Sequence, residues 1–345
     1  VVSWNAMLSG YVEMEQGERA LQLLRQMYKE GWDANNHTCV IALQACCIYA
    51  DNEEGLLMDG NFVKPVSLSI GEGLHADAEK KGFLCDVYVG TALSSMYAKC
   101  GLLGQTERMF SGLSQRNVVS WSALICGYAQ KGLTNEALKC FRKMEDEGFS
   151  PDVATFVYIL KACMSMESLE LGEAIHAEVK KLDLLEKDIG LGTTLVDMYA
   201  KCGALGRAQE LFEELPEKDA VSWNVLISGY AHRGEGIAAL NCFRRMSDEG
   251  VSPSSVTYIS VLKACGMVGS LEMGEFIHEE IKKTGLLEKD IMLGNTLVDM
   301  YAKCGMLGKA FAVFHKLPKR DVVSWNALIT GYTQHGHDDS ALECF

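Results

Sequence analysis

The sequence predicts an all-α solenoid of stacked helix pairs, and two observations carry that prediction. The first is a repeat. A VSW tripeptide places Trp at positions 4, 121, 223 and 325, with the last two intervals 102 residues each. YAKCG returns at Tyr97, Tyr199 and Tyr301, and Lys-Ala-Cys at Cys163 and Cys265, on the same 102-residue period. Independent markers on one period define a repeat architecture before any element is assigned. The second observation is helical spacing of apolar residues inside each repeat, with no strand-like alternation.

Each 102-residue triplet divides into repeats of 35, 36 and 31 residues. The first triplet, 1–117, reads as 1–35, 36–86 and 87–117. The second, 118–219, reads as 118–152, 153–188 and 189–219. The third, 220–321, reads as 220–254, 255–290 and 291–321. A tenth repeat opens at Val322 and is cut at Phe345, so the expectation is one continuous solenoid. Repeat 189–219 illustrates the elements. Leu195, Val196 and Tyr199 form one apolar stripe before a break at Gly203. Ala208, Leu211, Phe212 and Leu215 form a second stripe, which Pro216 stops. A helix pair this short cannot bury its apolar face alone and must stack on its neighbours, leaving one groove. Repeat 36–86 carries 15 extra residues near 51–69, among them Gly55, Leu56, Leu57, Gly60, Phe62 and Pro65. They read as a mobile loop between the two helices, with partner docking as the alternative.

Composition narrows the function. The 345 residues are 48% hydrophobic, ample for a buried core. A net charge of −14 argues against indiscriminate coating of nucleic acid, which needs exposed cations, but leaves room for a basic groove on one face. No apolar run approaches the ~18 residues of a membrane helix. The chain opens on Val1 within a motif and stops inside a helical pattern, and so reads as a piece of a longer protein without a leader of its own.

Most candidate chemistry dissolves into the repeat. Eight of the 13 cysteines recur in phase: Cys100, Cys202 and Cys304; Cys140, Cys242 and Cys344; Cys163 and Cys265. Positions equivalent in stacked repeats are packing positions, where Cys acts as a small hydrophobe, and a reducing compartment follows. His176-Ala177-Glu178 and His278-Glu279-Glu280 spell the first half of a zinc deaminase signature, but the P-C-x-x-C half is missing. His75 holds the same place in the first triplet, so this His reads as a helix-face residue. Gly10, Gly127, Gly229 and Gly331 share one phase and predict close helix packing. No phosphate loop, nucleophile elbow or H-E-x-x-H occurs; no catalytic residue, metal or cofactor is expected.

The 35/36/31 order, the VVSWN-type openings and the AKCG of the short repeats resemble the pentatricopeptide repeat family. The match is specifically to its plant PLS subclass, in which P, L and S repeats alternate. The resemblance covers essentially the whole chain: P-like repeats start at Val1, Val118, Ala220 and Val322, L-like at Asn36, Val153 and Ser255, S-like at Val87, Ile189 and Ile291. It implies a right-handed superhelix that binds single-stranded RNA, one base per repeat. In that code the fifth and last residues of a repeat face the base. The pairs here are Asn5/Asn35, Thr91/Asn117, Ser122/Asp152, Thr193/Asp219, Asn224/Ser254 and Asn295/Asp321, with Asn326 lacking a partner. Hydroxyls suit purines and Asn suits pyrimidines. The L repeats hold Val40, Val157 and Ile259 at the fifth place, which cannot bond a base edge. The site read this way is 5′-YNAGNGYNUY-3′.

The resemblance also implies that second-place residues pack on base faces: Val2, Tyr88, Val119, Val221, Met292 and Val323, with Gly190 a weak exception. Lys99, Lys201 and Lys303, at the thirteenth place of the S repeats, are candidate phosphate contacts, with solvated helix ends the alternative. The family further implies an organellar (mitochondrial or chloroplast) RNA-editing context, helper editing factors on the L repeats and, in some members, a deaminase-like domain beyond the array. The rival reading is a tetratricopeptide-like protein scaffold, which the acidity favours. Restriction of the fifth place to Asn, Ser or Thr in every P and S repeat opposes it.

Overall fold

In the computed structural model, which describes residues 1–58, 61–185 and 188–344, the chain is all-α apart from one small hairpin. The first five repeats contribute α1 (Val2–Glu13) and α2 (Gly17–Lys29), α3 (Asn36–Asn52) and α4 (Pro65–Lys80), α5 (Val87–Lys99) and α6 (Leu103–Gly112), α7 (Val118–Gln130) and α8 (Thr134–Asp146), then α9 (Val153–Ser165) and α10 (Leu169–Lys181). The rest contribute α11 (Ile189–Lys201) and α12 (Leu205–Glu214), α13 (Ala220–His232) and α14 (Gly236–Asp248), α15 (Ser255–Val268) and α16 (Leu271–Thr284), α17 (Ile291–Lys303) and α18 (Leu307–Lys316), then α19 (Val322–Gln334) and α20 (Asp338–Cys344).

Every first helix from α3 onward starts the same way. The residue before it is Asn, Asp or Ser, and its side chain accepts amide N–H groups of the first turn, as Asn35 does from Thr38 at 2.8 Å and Asp219 from Ser222 at 2.8 Å. These groups have no partner inside the helix, so the cap satisfies donors that would otherwise be lost. The turn into the second helix of each S repeat is made by the glycine of YAKCG, with φ of +81° at Gly101, +85° at Gly203 and +75° at Gly305. A side chain would strain that left-handed backbone.

Contacts divide the chain into two compact halves, Val1–Ser168 and Leu169–Phe345, so the division falls inside the fifth repeat rather than between triplets. In the first half, first helices α1, α3, α5, α7 and α9 pack successively in one row; in the second, α11, α13, α15, α17 and α19 do the same. Within each half the second helices α2, α4, α6, α8, α12, α14, α16 and α18 pack on their own first helix and on the next one, and α10 packs on α11. The aromatic core repeats with the sequence. Trp121 meets Phe110 edge-on at 4.7 Å, and Trp223 meets Phe212 at 4.6 Å, both indoles buried.

The in-phase glycines pack closely, with one exception. A Cβ at Gly229 would stand 2.7 Å from the Ala200 Cβ, and one at Gly331 would stand 2.5 Å from the Ala302 Cβ. Gly10, in the first repeat, faces open space. Cys100, Cys163 and Cys265 are fully buried, and desolvation pushes the Cys100 and Cys265 thiols up to about 12, leaving them inert hydrophobes.

The expected loop in repeat 36–86 is instead a β-hairpin, so the expectation of no strands is corrected here. Strands β1 (Leu56–Met58) and β2 (Asn61–Val63) pair antiparallel, with Leu56 opposite Val63. Asp59 and Gly60, part of that expectation, lie outside the described residues. The Asp-Gly dipeptide between two short apolar runs is itself a hairpin signal that the loop reading overlooked. Below the hairpin, the Glu53 carboxylate accepts the Val66 and Ser67 amides at 2.7 and 2.9 Å, tying the end of α3 to the start of α4.

Candidate nucleic-acid interface

The fifth residue lies one turn into each first helix, and the last residue caps the first helix of the next repeat. Stacking brings the two together. Asn5 Nδ2 donates to Asn35 Oδ1 at 3.4 Å, and Asn117 Nδ2 to Thr91 Oγ1 at 3.3 Å. Ser122 Oγ donates to Asp152 Oδ1 at 3.1 Å, Asn224 Nδ2 to Ser254 Oγ at 3.2 Å, and Asn295 Nδ2 to Asp321 Oδ1 at 3.0 Å. Thr193 is buried like Asn5, Thr91, Ser122 and Asn295, Asn224 is half-buried, and Asp219 caps α13. Asn326, with no following repeat in this chain, is exposed.

One consequence was hidden in the sequence. The last place is occupied by Asn, Asp or Ser even after the L repeats, where Asp86, Asp188 and Asp290 cap α5, α11 and α17 behind an aliphatic fifth residue. Helix capping alone therefore accounts for residue type at the last place. The alternation of polar and aliphatic residues at the fifth place is not explained by capping. Hydrogen bonds from the Ser324 amide and hydroxyl hold the Asp321 carboxyl below its usual range, so it is ionised at neutral pH.

The second-place residues are exposed apolar groups one turn before the fifth: Val2, Tyr88, Val119, Val221, Met292 and Val323 all stand more than half exposed. Gly190, in the same place, offers no side chain. Apolar groups left in water in phase with hydrogen-bonded polar pairs suit the flat face of a base.

The three lysines are ion-paired. Lys99 Nζ lies 2.6 Å from Asp51, Lys201 Nζ 2.7 Å from Asp197, and Lys303 Nζ 2.7 Å from Asp299. The last two acids sit four residues before the lysine on the same helix, a spacing legible in the sequence but not weighed. Exposed pairs of this kind are worth ~0–1 kcal/mol, so a phosphate can displace the carboxylate. A cavity of about 450 Å³ beside the hairpin is lined by Lys64, Lys99 and Lys131, with Glu53 opposing them. The repeat histidines face tyrosines: His75, His176 and His278 Nδ1 lie 2.7, 2.8 and 2.8 Å from the hydroxyls of Tyr97, Tyr199 and Tyr301. That contact joins the second helix of an L repeat to the first helix of the S repeat.

The model described as PPR repeat family matches residues 1–48, 116–165 and 218–267, and the model described as PPR repeat matches 193–219, 256–286, 295–322 and 323–345. The chain belongs to the pentatricopeptide repeat family. It is 36% identical over 343 residues to a chloroplastic pentatricopeptide repeat-containing protein of Arabidopsis thaliana, covering 99% of this chain and 53% of that one. A mitochondrial pentatricopeptide repeat-containing protein of the same plant is 35% identical over 342 residues, 99% of this chain and 32% of the other. The chain thus spans about half the length, or less, of such curated relatives. Among solved structures, maize PPR10 is similar with a TM-score of 0.71 at 19% identity, covering 99% of this chain and 53% of that one. PPR10 in complex with an 18-nt psaJ RNA element gives 0.72 at 19%, over 100% and 54%. The likeness to PPR10 is one of fold.

Proposed function

We infer that this chain is a sequence-specific reader of single-stranded RNA, one base per repeat, within the PLS division of its family. The observation that carries the reading is the pairing of fifth-place and last-place side chains, hydrogen-bonded to each other in five P and S repeats. A buried Asn, Ser or Thr held at its inner edge keeps the remaining donor or acceptor fixed for a ligand. The exposed second-place residues then hold the base between neighbouring repeats. The site read by the family code is 5′-YNAGNGYNUY-3′, with the L repeats unspecified, and Lys99, Lys201 and Lys303 neutralise phosphates after releasing their carboxylates. The RNA-bound PPR10 structures support the choice of ligand. Relatives named chloroplastic and mitochondrial support an organelle as the place of action.

Within a longer protein the array acts as the recognition part of a C-to-U editing factor. It has no catalytic role of its own, and helper factors dock on its L repeats. The experiment is selection from random single-stranded RNA at fixed, moderate salt. Enrichment of YNAGNGYNUY supports both ligand and register. Binding without preference refutes the code. A lack of binding moves the reading to a protein scaffold, which the net charge of −14 favours.

A further inference from the structure

The code described above leaves the second repeat unread, because its fifth place holds Val40. A different polar side chain reaches the last place there. Asn36, the first residue of the repeat, stands one turn before Val40 on the same face of α3. Its Nδ2 donates to Asp86 Oδ2 at 2.8 Å. A carboxylate only accepts, so the amide turns its N–H towards Asp86, and its Oδ1 takes the His37 amide at 2.9 Å. The bond joins residues 50 positions apart, so the 15 extra residues of this repeat leave the closure between its two ends intact. The other L repeats have Val153 and Ser255 at the first place. Val153 carries no donor, and the Ser255 hydroxyl sits one bond closer to its backbone than an amide nitrogen would.

This pair is open to a ligand. Asn36 is exposed and Asp86 half-buried, and Asp86 stands with Tyr88 and Asn117 on the wall of a cavity of about 390 Å³. Asp86 Oδ1 accepts the Tyr88 and Val89 amides at 2.8 and 3.3 Å, while Oδ2 faces Asn36. These bonds, that of Asn36 most of all, hold the carboxyl below its usual range, so it is ionised at neutral pH. The second-place residues on either side are His37 and Tyr88, both exposed and both flat rings. No other two neighbouring second places in the chain hold two rings. Rings of this kind stack on a base.

We propose that the second repeat reads its base through Asn36 and Asp86, the first-place amide replacing the missing polar fifth place, and that this base is uracil. This rests on the RNA-reading function proposed above. An ionised carboxylate and an amide N–H stand side by side here, as they do at Asn295 and Asp321, where Nδ2 donates to Oδ1 at 3.0 Å. Uracil answers both groups, giving its N3–H to the carboxylate and a neighbouring carbonyl to the amide. Cytosine in the same pose brings a lone pair to the carboxylate. The site then becomes 5′-YUAGNGYNUY-3′.

Binding of the whole chain at fixed salt, to RNAs that differ only in base two or only in base nine, tests this. The parent should favour U over C at base two by about tenfold, the size of one base contact, and Asn36→Ala should abolish that preference. Asn36 is exposed on the first turn of α3, so the variant should melt like the parent and keep its preference at base nine. A parent that is indifferent at base two, or favours another base there, yet is selective at base nine overturns the proposal while the RNA-reading function stands. So does an Asn36→Ala chain that keeps the preference, or that loses affinity equally for every base. A parent with no preference at either base overturns both.

Discussion

Replacing Ser254 separates the two jobs of a last-place residue. Its Oγ caps α15, accepting the Thr257 amide at 3.4 Å, and accepts an N–H of Asn224 at 3.2 Å. Ser254→Ala removes both bonds. Loss of an N-cap costs about 1 kcal/mol, and the 3.4 Å bond puts this one at the lower end of the usual range. The lost part-buried bond from Asn224 adds about 1 kcal/mol at most, because that N–H can turn to water. The total of about 1–2 kcal/mol lowers the melting temperature by about 2–8 °C for a body the size of the second half. Ser254→Asp keeps the cap, supplies the carboxylate found at Asp219 and Asp321, and should melt no lower than the parent.

Thermal unfolding and filter binding at one salt concentration, with RNAs varied only at base seven, read the two jobs independently. Ser254→Ala should melt lower and lose most of its pyrimidine preference, and Ser254→Asp should move that preference towards U. A Ser254→Ala chain that melts lower yet keeps the parent's preference would refute the reasoning. The last place would then be a cap and nothing more.

Other perturbations have equally definite outcomes. Asn295→Thr should shift the preference at base nine from U towards G, because Asp321 stays; competition binding with the two RNAs reads it. Trp223→Ala should destabilise by about 3–5 kcal/mol by urea unfolding, since it empties a fully buried site against Phe212. Burial, aided by Lys282, pushes His278 down to about 4. The unfolded chain therefore takes up a proton first, and stability is complete above about pH 6.5 and falls towards pH 4. Allowing for partial exposure, the loss is about 1–2 kcal/mol, and His278→Gln should flatten the urea midpoint between pH 7 and pH 4.5.

The local sequence was enough for some of this protein and silent on the rest. Period, helix pairs, the packing role of Cys100, Cys163 and Cys265 and that of Gly127, Gly229 and Gly331 were legible, because each is a local pattern repeated until chance is excluded. The fifth-place alternation of Asn, Ser and Thr with Val and Ile was legible for the same reason. The hairpin was written as Asp59-Gly60 between Leu56–Met58 and Asn61–Val63, and was passed over because a helical period dominated its surroundings.

What only the tertiary structure decided is how residues about 30 positions apart divide their hydrogen bonds. Asn5, Asn35 and Thr38 meet only when one repeat stacks on the next. Stacking makes the last residue a helix cap, turns threonines onto the Asn5 and Asn224 amides, and leaves the Asn295 oxygen buried without a hydrogen-bond partner. The same stacking gave Lys99 a carboxylate from a neighbouring helix, Asp51. Sequence alone fixes which groups are present. Which of them are already satisfied, and which remain for a ligand, depends on packing, because a hydrogen bond needs a partner within about 3 Å.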